Sequence, residues 1–140
     1  LTSASFKKVE KYKEKTIIST GLAPAAIGPY SQAVEANGFL FISGQIPLVA
    51  ETGEVVEGGF ESQTKQVLRN FEAILTAAGL TWCDVLKTTV FLTDLAQFQV
   101  FNTLYSGKFV ADPPARAVVQ VSSLPRDVQI EMEGVALRQG

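Results

Sequence analysis

The sequence predicts a single α+β domain built as a mixed six-stranded sheet with two helices on one face. Three observations lead there. The chain has 140 residues, the size of one domain. Apolar residues make up 46% of it and aromatic residues 9%, enough for a real core and unlike a disordered composition. Its apolar periods and turn signals alternate in the order β, β-β, α, β, α, β-β, with no repeat, low-complexity tract or linker between them.

Residues 1–14 are polar and charged and read as a loose arm ahead of a domain spanning 15–140. KTIIST (15–20) has the composition of a short strand, and GLAPAAIGPY (21–30), punctuated by Gly and Pro, reads as a loop. SQAVEANGFLFISGQIP (31–47) reads as two strands around Asn37-Gly38, a strong hairpin signal. VAETGEVVEGG (49–59) is a polar loop with a small turn at 51–53. Over residues 61–80, Val67, Leu68, Phe71, Ile74, Leu75 and Ala78 recur at helical spacing, and Gly79 is the stop signal. DVLKTTVFLTD (84–94) is a β-branched strand. A second helix is expected over 95–109, with Leu95, Phe98, Phe101, Leu104, Tyr105 and Phe109 as its apolar stripe, broken by ADPP (111–114). Two last strands, 115–122 and 128–137, are joined by a short connection and are expected to pair as a hairpin.

Period two puts Ala115, Ala117, Val119 and Val121 on one strand face, assigned to the core, and Arg116, Val118 and Gln120 on the other. Leu40 and Ile42 alternate with Phe39, Phe41 and Ser43, so both sheet faces carry apolar groups. With helices on one side only, the free face predicts an oligomer.

Composition excludes several kinds of chemistry. The net charge is −2 and the basic residues are scattered apart from KKVEKYKEK near the start, which is no footprint for nucleic acid. No apolar run approaches the ~20 residues of a membrane helix. There is no histidine, so the commonest general base and metal ligand are both missing and a Ser-His-Asp or Cys-His machine is impossible. The single cysteine, Cys83, allows no internal disulfide, would leave a zinc site one thiol plus carboxylates, and reads as a small packed residue behind Trp82.

The residues left to carry chemistry are few. Arg116 begins a strand just after Pro113 and Pro114. It reads either as a cross-strand ion pair or as a carboxylate clamp, since a guanidinium offers a rigid two-pronged donor. In the expected hairpin, one register sets Arg116 opposite Glu133 and diagonal to Glu131, and the other sets Ile130, Met132 and Gly134 on its face. Periodicity does not choose between them. Glu131 and Glu133 read as a solvated strand face or as one carboxylate that activates a water. In GPYSQ (28–32), Tyr30 reads as a plug at the core edge or as a rigid phenol facing a ligand. In FISGQIP (41–47), Ser43 and Gly44 end a buried strand, either as an ordinary turn or as a place where a ligand approaches the backbone. Gly58-Gly59 lacks the lysine and spacing of a phosphate loop. Asn102 on the second helix reads by default as solvent-facing.

Four segments taken together, APAAIGPYSQA (23–33), FISGQIP (41–47), KTTVFLTD (87–94) and PPARAVVQV…LPRDVQIEMEGVA (113–136), strongly resemble the Rid family, the reactive-intermediate deaminases of YjgF type. The likeness spans about residues 16–138. It implies a chorismate-mutase-like α+β fold assembled as a trimer around a central barrel, with active sites in clefts between subunits. It implies hydrolysis of 2-imino acids such as 2-iminobutanoate and 2-iminopropanoate, which form from enamines released by pyridoxal-phosphate threonine and serine dehydratases. The products are 2-oxo acids and ammonia, and neither cofactor nor metal is used. By the same resemblance Arg116 grips the substrate carboxylate, Glu131 positions the attacking water, and Tyr30, Ser43, Gly44 and Asn102 line the cleft. Val118 stands where many bacterial members carry a cysteine, which rules out thiol chemistry at that position. Ribonuclease activity, also attached to this family, sits badly with an acidic chain lacking histidine, whereas a non-catalytic 2-oxo-acid-binding trimer would share the arginine clamp. The opening LTSASFKK, which starts at Leu1, reads as the stub of a transit peptide or of cloning, and the plant-like character of the sequence points to a plastid, with mitochondrial and cytosolic locations as alternatives.

Overall fold

The computed structural model describes residues 14–139. Six strands form one sheet: β1 (Thr16–Ile18), β2 (Ala33–Ala36), β3 (Phe39–Gln45), β4 (Val85–Leu92), β5 (Ala115–Gln120) and β6 (Ile130–Leu137). The order across the sheet is β1-β2-β3-β6-β4-β5. Only β4 and β5 run parallel. Two α-helices, α1 (Phe60–Ala77) and α2 (Phe98–Ser106), complete the α+β domain that the sequence predicts. The loose arm expected over 1–14 falls almost wholly outside the described residues.

Local sequence explains most of these elements. Asn37 and Gly38 both adopt positive φ, the conformation that a two-residue hairpin turn needs, and they join β2 to β3. The expected face of α1 is buried throughout, with Val67, Phe71, Ile74 and Leu75 fully enclosed. Gly79 ends the helix at φ 78°, and the amides of Gly79 and Leu80 close back on Thr76 and Leu75. Two buried polar residues of α1 fix the chain that follows β3: Asn70 donates to the carbonyls of Ile46 and Leu48, and Gln66 donates to Asn70. The second helix begins later than its apolar stripe, because Asp94 accepts from the Ala96 amide and holds Leu95–Gln97 in a 3₁₀ turn. At the far corner Arg138 forks onto Glu35 with two 2.8 Å hydrogen bonds, tying the end of β6 to β2.

Three expectations fail here. The last two strands do not pair: β4 lies between β5 and β6, parallel to one and antiparallel to the other. The α2 crossover returns the chain parallel to β4, and the two prolines, which cannot donate to a ladder, suit β5 to the sheet edge. The central place goes to β6, whose Ile130, Met132 and Ala136 are fully buried. The faces of β5 are also reversed. Arg116 shares a row with Thr88, Gly134 and Ile42, all on the helix-covered side, while Ala117 and Val119 look out of the open side beside Thr89 and Phe91. Alternation says which residues share a face but not which face meets the helices. Cys83, finally, is exposed rather than packed. The open face carries Phe39, Phe41 and Val119, all substantially exposed. Among the described residues no helix is long and apolar enough to cross a membrane.

Candidate active site

The predicted site residues fall into two groups on opposite faces of the sheet. The first is built around Arg116 at the edge strand. Its Nη1 donates to Asn102 Oδ1 at 2.8 Å, so Asn102 is not an idle solvent-facing residue. Three rings of α2 surround the same guanidinium, with centroids 5.5 Å (Phe98), 5.8 Å (Phe101) and 5.0 Å (Tyr105) from its Cζ. These distances lie within the range of cation–π attraction. Spacings of three, four and seven residues put Phe101, Asn102 and Tyr105 on the same side of α2 as Phe98. Beneath them the Tyr105 hydroxyl shares a 2.7 Å hydrogen bond with Thr88, the residue directly opposite Arg116 on β4. Burial raises the Tyr105 pKa, against the opposing pull of Thr88 and the Arg116 charge. Among the described residues no carboxylate forms an ion pair with Arg116. The guanidinium instead opens on a cleft of about 480 Å³ walled by Tyr105, Ser106, Phe109, Pro113 and Pro114.

The second group lies on the open face. The register of β3 against β6 shifts between Ile42 and Gln45, so Ser43 and Gly44 together oppose the single residue Glu133. This bulge presents both residues to the open side and returns Gln45 to the core. The Glu131 side chain lies over Gly44: a Cβ there would meet its carboxylate oxygen and stand 3.0 Å from Cδ. Gly44 is therefore a glycine because Glu131 occupies the space of its side chain. Half-buried in this position, Glu131 has its pKa raised, first by desolvation and then by the neighbouring Glu133 charge. The Ser43 hydroxyl donates to the Ser31 carbonyl at 2.6 Å, and its amide to the Gln32 carbonyl, mooring the loop that carries Tyr30. Gln32, buried, holds the preceding turn through Thr20, Ala23 and Pro24. Tyr30 itself is 53% exposed and plugs no core edge.

The geometry thus unites Arg116 with Asn102, and Glu131 with Ser43 and Gly44, but does not unite the two sets within one chain. Arg116 on β5 is two strand places from Glu131 on β6 and three from Ser43 and Gly44 on β3, about 10 and 14 Å at the usual spacing, and the two sets look in opposite directions. A wider groove of about 670 Å³ between the helices carries Lys65, Arg69 and Lys108, but Lys65 and Lys108 pair with Glu61 and Glu72. Among the described residues no cluster of His, Cys, Asp and Glu could hold a metal. Sequence reading missed the aromatic surround of Arg116, although the spacing of the three rings about Asn102 was its signal. It also missed the bulge, which alternation cannot reveal.

The family model described as endoribonuclease L-PSP matches residues 20–138. A RutC family protein of Pyrococcus horikoshii is 50% identical over 89% of this chain and 99% of its own. The Arabidopsis thaliana protein named reactive intermediate deaminase A, chloroplastic, is 47% identical over 88% of this chain and 66% of its own. The human 2-iminobutanoate/2-iminopropanoate deaminase is 45% identical over 89% and 90%. Among solved structures, Escherichia coli TdcF with bound serine superposes with a TM-score of 0.83 at 43% identity, covering 89% of this chain and 99% of that one.

Proposed function

The chain belongs to the Rid family, and we propose that it hydrolyses small 2-imino acids such as 2-iminobutanoate and 2-iminopropanoate to 2-oxo acids and ammonia. The observation that carries this reading is Arg116: a guanidinium seated by one amide and three rings, turned to a cleft, with no carboxylate of its own among the described residues. Such a fork takes a substrate carboxylate with two parallel hydrogen bonds.

The opposite chemical end is supplied by Glu131. An iminium carbon is already electrophilic, so a positioned water and a proton acceptor suffice. Glu131 takes a proton from water as the oxygen bonds to C2 and the C=N π pair moves to nitrogen. The acid so formed returns that proton to the nitrogen. The C–N bond then breaks, ammonia leaves, and loss of the hydroxyl proton gives the 2-oxo acid. The raised pKa of Glu131 suits a group that accepts and returns a proton.

Because Arg116 and Glu131 look out of opposite faces, one substrate can meet both only where two copies adjoin. A homo-oligomer with shared sites follows from this reading, the trimer being what the family resemblance implies, and the apolar residues of the open face support association. The name of the Arabidopsis relative supports a plastid as the compartment. The reading predicts supply of substrate by pyridoxal-phosphate dehydratases, which release the parent enamines.

The test is ammonia release from 2-iminobutanoate generated in situ by a threonine dehydratase. Loss of a two-pronged charged contact should cost Arg116→Ala about 3 kcal/mol or more, at least roughly 100-fold in kcat/KM. Turnover by folded Arg116→Ala at the wild-type rate would sink the assignment. Glu131→Ala should lose turnover yet keep 2-oxobutanoate binding. A wild type that binds 2-oxobutanoate without accelerating hydrolysis would instead be a non-catalytic binder.

A further inference from the structure

We propose that Tyr105 is a positioning residue that aims the Arg116 guanidinium, so that the carboxylate is received on the edge of the fork; this rests on the deaminase reading. Three observations converge on Tyr105. Of the three rings it lies nearest the cation, at 5.0 Å against 5.5 and 5.8 Å. It is only 4% exposed, so its ring has little room to move. Its hydroxyl is held at 2.7 Å by Thr88, the β4 residue in register with Arg116. The sheet therefore fixes the phenol, and the phenol faces the cation attached to the adjoining strand.

The chemistry follows from the shape of the group. A guanidinium is planar and offers its donors along its edge. Rings packed around it occupy the space a carboxylate would need for a face-on approach. Asn102 satisfies Nη1 from α2, and the remaining donors are left for the cleft side. A flexible arginine at an exposed strand edge would lose side-chain entropy on every binding event. Here the packing has already restricted it. A lysine would fail in this seat, having neither the planar face nor the fork.

The experiment compares Tyr105→Leu, Tyr105→Met and the double variant Thr88→Val/Tyr105→Phe. The double variant keeps the ring and removes both buried hydroxyls together. The readouts are the Arg116 side-chain Nε–H resonance by NMR, 2-oxobutanoate affinity by titration, and KM against kcat. Removing the ring should take away the Tyr105 part of the ring-current shift and so move that resonance, weaken 2-oxobutanoate by roughly tenfold and raise KM more than it lowers kcat. The double variant, which keeps the ring but loses its tether to β4, should weaken 2-oxobutanoate less than removing the ring does. A folded Tyr105→Leu or Tyr105→Met with an unmoved Arg116 resonance and unchanged affinity overturns the proposal. The NMR readout separates it from the deaminase reading: if wild type shows no turnover but the resonance still depends on the ring, the aiming stands and the activity falls.

Discussion

Two glycines of the same sheet should respond to alanine in opposite ways. At Gly44 the backbone accepts a side chain, since it is absent from the positive-φ glycines. What the new methyl meets is the end of Glu131, 3.0 Å away at Cδ and 3.3 Å at Cγ, with the carboxylate oxygen nearer still. That side chain can swing aside, at about 0.5–1.5 kcal/mol for an altered rotamer. Gly44→Ala should therefore fold with nearly the wild-type Tm while displacing the proposed base, and a lost general base lowers kcat by about 10²–10⁴-fold. At Gly134 the methyl meets Phe71 Cζ at 2.8 Å and the Lys87 carbonyl at 2.9 Å, neither of which can give way. Phe71 is a fully buried residue of α1, on its sheet-facing side. Overpacking of this kind costs about 1–3 kcal/mol, or roughly 3–12 °C in Tm for a domain of this size. The assays are calorimetry and ammonia release, run on both variants side by side. A Gly44→Ala protein with wild-type kcat would show that the placement of Glu131 over Gly44 has no part in turnover. A Gly44→Ala protein as unstable as Gly134→Ala would show that Glu131 is locked in place.

Two further outcomes follow from the open face. Turnover needs the ionised Glu131, and its pKa is raised from the ordinary 4.5, so kcat/KM should fall as pH drops through a value above 4.5. Glu133→Gln removes the like charge beside it and should move that acidic limb to lower pH without abolishing it, because desolvation is the larger cause; a limb that stays put or rises would refute the coupling. Phe41→Asp puts a charge into the middle of the exposed apolar face and should give a folded monomer by light scattering, with no deaminase activity; an active monomer would refute the shared site.

How much was legible depended on whether the signal was local. The helix of Val67, Phe71, Ile74 and Leu75 announces itself through side chains a few residues apart, and its glycine stop is equally local. The Asn37-Gly38 hairpin is local too. The partner of β5 is not, because pairing with β4 across an intervening helix depends on what the rest of the sheet leaves vacant. The reversed face of β5 has the same origin: Ala117 and Val119 look like core in a single strand and become an open face only once α2 covers the other side. Arg116, Glu131, Ser43, Gly44 and Asn102 were all legible as residues worth examining. Their division into two groups was not, since it is a property of the sheet and not of any segment.

That division also bears on how copies would assemble. In an isologous pair the same patch of each chain meets its twin, so both halves of a composite site must lie on one patch. Here the Glu131–Gly44 half looks out of the open face, while Arg116 opens toward the helix side at the β5 edge. A flat patch cannot contain both. On the proposed function, the edge of one chain would meet the open face of the next, a heterologous contact, and such contacts either close into rings or run on as fibres. A closed ring would cover every open face with a neighbour, where a fibre would leave one bare at its end. On the proposed function, then, catalysis and assembly rest on the same arrangement: the reversed strand that sets Arg116 under its aromatic rings also keeps it from its own Glu131, and only a cyclic neighbour completes the pair.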